Sequence, residues 1–102
     1  MVKNNMRPVH PGEILREDYV LPLGLSANRL ARDLRVPVTR ISKILNEERA
    51  VTPDTALRLA RYFGGDAQTW LNLQSAYDLK TTVLDHGDEI ELDVRPLDVE
   101  AA

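Results

Sequence analysis

Four polar side chains, Thr39, Arg40, Ser42 and Lys43, are interleaved with the apolar residues Val38, Ile41, Ile44 and Leu45. Helical positions three and four apart share a face, so Ile41 and Ile44 turn inward and the four polar residues turn out. An outward Arg matches O6 and N7 of guanine with two donors, Lys supplies a point charge for phosphate, and Thr or Ser can touch a thymine methyl or a phosphate. Asn46 and Arg49 follow in a loop that could meet phosphates. Arg29 and Arg32 lie on the helical stretch before it, where they either meet phosphates or pair with Asp33. The chemistry on offer is polyanion binding with base readout; an ordinary solvated helix face is the alternative.

Catalysis is not expected. The chain has no cysteine, and His10 and His86 lack a third ligand at helical spacing, so no metal or cofactor is expected. His10 reads as a helix-start residue. No Ser, His and acid set, paired carboxylates or phosphate-cradling glycine loop can be assembled, and Gly64 with Gly65 reads as a helix stop. Trp70 and Tyr77 fall seven apart, a spacing that suits core or dimer packing better than ligand stacking.

Thirteen basic and 16 acidic side chains give the 102 residues a net charge of −3. That average hides a division. Residues 26–61 hold Arg29, Arg32, Arg35, Arg40, Lys43, Arg49, Arg58 and Arg61 against Asp33, Glu47, Glu48 and Asp54, a balance of +4. Residues 81–102 hold seven acidic side chains against Arg95, a balance of −6. One surface therefore suits a polyanion and another a cationic partner. A chain of this size hides only about 60–65% of its unfolded surface, so compact helices, helped by dimerisation, are the economical solution. Unbroken apolar runs reach at most three residues, too few to cross a membrane. The first ten residues lack the apolar core of a signal peptide, and the absence of cysteine permits a reducing cytoplasm.

Helix starts and stops are closely spaced. Pro11 suits a first helical position, with Ile14, Leu15 and Tyr19 following before Pro22 and Gly24 break the chain. Ser26 caps a short helix with Leu30, Ala31 and Leu34 on one side, and Pro37 to Leu45 forms the next. Thr52 and Pro53 open a fourth, with Ala56, Leu57, Leu59, Ala60 and Phe63 as its stripe and Gly64 as its stop. Asp66 caps a fifth that carries Trp70, Leu73 and Tyr77. The expected architecture is an all-α bundle: an arm over 1–9, a helical domain over 10–80 and an acidic tail over 81–102. In that tail Ile90, Leu92 and Val94 alternate with charged residues, which predicts a lone strand or a disordered segment.

The second and third helices carry the pattern of a helix-turn-helix. Ala31 is the small residue where two helices cross, Arg35 occupies the turn, and Ile41 and Ile44 face inward. Any two adjacent amphipathic helices share part of this spacing. If the turn demands positive φ, Arg35 pays a steric penalty of about 1 kcal/mol.

Five longer blocks sharpen the reading: HPGEIL at 10–15, PLGLS at 22–26, LARDL at 30–34, VTPDTALRLARYFG at 51–64 and WLNLQSAYDL at 70–79. On these the chain resembles the HigA family of addiction-module antitoxins, a branch of the Xre-like helix-turn-helix regulators. The resemblance implies a five-helix, lambda-repressor-like DNA-binding fold and a homodimer on double-stranded, palindromic operator DNA. It also implies repression of its own operon and a companion toxin similar to RelE-type ribonucleases. Thr39, Arg40, Ser42 and Lys43 would then approach base edges, and Asn46, Arg49, Arg29 and Arg32 the backbone. Three positions depart from the family pattern. Many relatives have Gln at Ala27, where an amide helps hold the DNA backbone, Gly at Arg35 in the turn, and Gly at Glu47. These departures keep two other functions open: a protein-only antitoxin with weakened DNA binding, and a free-standing transcriptional regulator.

Overall fold

A computed structural model describes residues 7–98. Residues 1–6 of the expected arm and 99–102 of the expected tail lie outside the described residues. Helix α1 (Pro11–Ile14) passes directly into a π-helical segment (Leu15–Val20), followed by α2 (Ala27–Leu34), α3 (Val38–Leu45), α4 (Pro53–Phe63) and α5 (Ala67–Asp93). No strand occurs among the described residues.

Capping residues set where these helices begin. Ser26, Thr52 and Asp66 each accept the backbone N–H three residues on, from Arg29, Thr55 and Thr69, which satisfies a donor the helix itself leaves open. His10 does the same for α1: its Nδ1 accepts the Gly12 N–H at 2.8 Å. Pro11 and Pro53 occupy first-turn positions, where a missing N–H costs nothing.

The core is the meeting of inward faces from all five helices. Leu15, Leu30, Ile41, Ile44, Ala56 and Leu59 are fully buried, with Ala31 and Trp70 close to it. Ala31 lets α2 and α3 cross closely. At Gly12 the approach is closer still, since a Cβ built there would lie 1.8 Å from the Ile44 carbonyl oxygen. Behind α3, the Val51 N–H donates to Gln74 Oε1 at 2.8 Å, a buried tie that seats the start of α4 on α5.

Three sequence expectations need correction. Leu57, placed in the buried stripe of α4, is 64% exposed. Val38, placed with Ile41 and Ile44, is also exposed, because it occupies the first turn of α3 on its outer side. The largest difference is in the tail. Residues 81–93 are neither strand nor disordered; they continue α5, and the Val94 N–H still donates to the Ile90 carbonyl at 2.9 Å. Alternation at 90–94 is too short to dictate a strand without a partner strand, whereas Leu79, Val83, His86 and Ile90 follow helical spacing. At about 1.5 Å per residue, 27 residues make a rod of roughly 40 Å, which accounts for the long axis of a 59 × 24 × 21 Å molecule.

Candidate nucleic-acid interface

The geometry of this region begins at the turn between α2 and α3. Arg35 adopts φ 61 and ψ 44, the left-handed region, as expected for the turn position. Its N–H donates to the Arg32 carbonyl and the Val36 N–H to the Ala31 carbonyl, at 3.2 and 3.0 Å. These bonds close α2 in the manner of a left-handed C-terminal cap and set the angle at which α3 departs.

Helix α3 then divides cleanly. Ile41 and Ile44 are fully buried, Thr39 and Lys43 are exposed, and Arg40 and Ser42 are half-buried. Exposed Val38 adds an apolar contact surface at the start of that outer side. Asn46 is the C-cap residue of α3 and, like Arg49, is exposed. Glu47 follows with φ 63, the left-handed region that favours glycine. Its carboxylate accepts from Arg16 Nη2 at 3.3 Å, and Arg16 also donates to the Leu45 carbonyl. Arg16 thereby neutralises the C-terminal end of α3, where carbonyl dipoles concentrate negative potential.

The half-burial of Arg40 has a specific cause. Its Nη1 donates to Asp54 Oδ1 at 2.8 Å. The same oxygen accepts Arg58 Nε at 2.8 Å, and Arg58 Nη1 donates to the Leu34 carbonyl at 2.9 Å. Asp54 on α4 therefore ties α3 to α4, and Arg58 extends the tie to the end of α2. The hydrogen bond from Arg58, and after it the one from Arg40, holds the Asp54 carboxyl below the usual carboxylate range.

A second carboxylate organises α2. Tyr62 donates its hydroxyl to Asp33 Oδ2 at 2.6 Å, while Arg29 and Arg32 approach Asp33 at 3.5 and 3.9 Å. The Tyr62 hydrogen bond is the main reason that the Asp33 carboxyl also titrates below its ordinary value. The Arg29 and Arg32 side chains remain 58% and 75% exposed. Exposed pairs of this kind are weakly held.

The structure thus gathers Thr39, Arg40, Ser42 and Lys43 on the outer side of α3, with Asn46 and Arg49 just beyond it, and leaves Arg29 and Arg32 on α2 beside Asp33. Sequence reasoning missed Asp54 and Arg58 as parts of this assembly. Their i, i+4 spacing was visible, but nothing local linked them to Arg40. Trp70 is buried against Tyr19, ring centroids 5.5 Å apart, which places it in the core. No group of three His, Cys, Asp or Glu among the described residues is arranged to hold a metal ion. No helix among them is long and apolar enough to cross a membrane.

Comparison with known proteins bears on the same region. The helix-turn-helix family model matches residues 15–70. Virulence-associated protein I of Dichelobacter nodosus is 64% identical over 78 residues, covering 76% of this chain and 72% of that protein. Among solved structures, an addiction module antidote protein of the HigA family from Coxiella burnetii is similar with a TM-score of 0.85 at 50% identity, covering 90% of this chain and all of the other. Pseudomonas aeruginosa antitoxin HigA, solved with the higBA promoter, gives a TM-score of 0.87 at 44% identity, covering 89% of this chain and 99% of that one.

Proposed function

The chain belongs to the HigA-type antitoxins of the helix-turn-helix family, and from that membership we propose that it is the antitoxin of a type II toxin–antitoxin module. In this reading it works in the cytoplasm, grips operator DNA as a homodimer, represses its own operon and neutralises a RelE-like ribonuclease toxin. The observation that carries the DNA half is α3 itself, with two fully buried isoleucines behind an outer side of Thr39, Arg40, Ser42 and Lys43. A helix so anchored enters the major groove while the preceding helix crosses the backbone. Arg40 and Thr39 then meet base edges with Ser42 and Lys43 beside them, and Asn46, Arg49, Arg29 and Arg32 meet phosphates.

The distal half of α5 supports the dimer and toxin parts. Leu79, Val83, His86 and Ile90 alternate at spacings of four and three, the rhythm of a two-helix seam. Leu79 is 66% and Ile90 37% exposed in one chain, so a second copy of the helix would bury apolar area that is otherwise wet. Asp85, Asp88, Glu89, Glu91 and Asp93 in the same stretch complement a basic ribonuclease.

The test is a gel shift on the DNA upstream of this reading frame, together with a neutralisation assay on the product of the neighbouring frame. Retardation at concentrations that leave unrelated DNA free is the expected result. Neutralisation without retardation would favour a protein-only antitoxin. Ala27 bears on that side: it opens α2 with a methyl group, where the family resemblance implies an amide. A neighbourhood without any toxin frame would favour a free-standing regulator.

A further inference from the structure

We propose that Asp54 is a positioning residue for base readout: anchored on α4, its carboxylate holds Arg40 by Nη1 and fixes the direction in which the rest of the guanidinium points. The inference rests on the reading that Arg40 contacts a base. An arginine on an exposed helix face samples many rotamers, and ordering it against a base edge costs entropy at the moment of binding. A partner that already holds one corner of the guanidinium removes much of that cost. Asp54 is suited to the task because a second cation holds it. Its Oδ1 lies 2.8 Å from both Arg40 Nη1 and Arg58 Nε, and Arg58 is fastened in turn to the Leu34 carbonyl.

The donor count agrees. A guanidinium carries five N–H donors in a fixed plane; with one Nη1 hydrogen given to Asp54, the Nε and Nη2 edge keeps the donors that a guanine O6/N7 pair requires. Arg40 keeps 28% of its side chain exposed in this arrangement. The carboxylate has a second effect of the same sign. Placed beside the groove-facing cations, it repels phosphate, which lowers affinity for arbitrary sequence and leaves the base contact to carry discrimination.

The experiment is a thermodynamic cycle on DNA preference. The intact chain, Arg40→Ala, Asp54→Asn and the double variant are titrated against the operator, its single-base variants and an unrelated duplex, at two salt concentrations. Arg40→Ala is expected to lower operator affinity by about tenfold to a hundredfold and to flatten preference at one base pair per half-site. Asp54→Asn should tighten binding to the unrelated duplex and flatten preference at that same base pair several-fold. In the Arg40→Ala background it should leave base preference unchanged. Melting curves accompany each variant, and Asp54→Ser takes the place of Asp54→Asn should the latter unfold. If Arg40→Ala leaves every base preference intact, the base-contact reading fails and the inference falls with it. If Arg40→Ala flattens one position while loss of the Asp54 carboxylate leaves that position as sharp as before, base contact stands and the positioning role is overturned.

Discussion

The imidazole of His10 meets Tyr77 edge-on, ring centroids 4.8 Å apart and planes at 74°, so the start of α1 is closed by the middle of α5. Nδ1 accepts the Gly12 N–H, which requires that nitrogen to carry no proton. Burial pushes the imidazole below its ordinary value of 6.5, against smaller upward pulls from Glu47 and Asp78.

The unfolded chain therefore binds this proton more readily than the folded one. Stability contributed by His10 is complete above about pH 6.5 and is lost as the pH falls through that value toward the folded-state pKa. Urea melts between pH 8 and 5 should show the decline. His10→Asn, which keeps a capping acceptor and does not titrate, should flatten it; an identical slope in that variant would assign the decline to other groups.

Arg35 and its turn give a second prediction. Arg35→Gly removes the Cβ strain at φ 61 and adds unfolded-state entropy, so the net gain is several tenths to about 1 kcal/mol. Thermal melts should show a higher Tm. A lower one would mean that the Arg35 side chain stabilises the turn by more than its backbone costs.

Gly12→Ala should act in the opposite direction. The added methyl runs into the Ile44 carbonyl, a backbone atom at the end of α3 that cannot rotate away. Overpacking of this kind costs about 1–3 kcal/mol, and the displacement reaches α3, so operator affinity should fall along with Tm. Unchanged melting would show that α1 shifts freely on α3.

Lys43 is exposed on the outer side of α3 and should behave as a phosphate contact. Lys43→Ala is expected to weaken all sequences alike and to reduce the slope of log K against log salt by about one per contact, or about two for a symmetric dimer. Loss confined to one base pair would make Lys43 a base reader instead.

Ending the chain at Lys80 removes residues 81–93 of α5. Helical ellipticity should fall accordingly, and sedimentation should report a monomer if the seam from Leu79 to Ile90 builds the dimer. A truncated protein that still sediments as a dimer would place the two-fold elsewhere.

The parts of this molecule legible in its sequence are those governed by neighbours in the chain. Ser26, Thr52 and Asp66 act on backbone groups three residues away, so residue type and spacing were enough to find them. The same holds for Arg35, whose turn is closed by the carbonyls of Arg32 and Ala31, three and four positions back. Arg40 and Asp54 are 14 residues apart on different helices, and only packing brings them together. Leu57 fits the apolar period of α4 yet points off the core, because periodicity counts residues without knowing how wide the covered face is. In α5 two periods competed over a short stretch. The helical one prevailed because each residue of a continuing helix finds its hydrogen bond within the chain, whereas a strand among the described residues would have had no ladder partner.

The tie from Arg58 to the Leu34 carbonyl means that the reading head of this scaffold is not a cassette. A graft of residues 26–45 onto another bundle would carry Arg40 but leave behind Asp54 and Arg58, and with them the bearing that sets its angle. It would also abandon Gly12 and Arg16, which seat the last turn of α3 through the Ile44 and Leu45 carbonyls. Val51 is tied to Gln74 and His10 packs on Tyr77, so the transferable unit runs from His10 to Tyr77. A chimera joined at Asn46 would inherit Arg40 without the partners that set its direction, whereas one joined beyond Tyr77 would keep both.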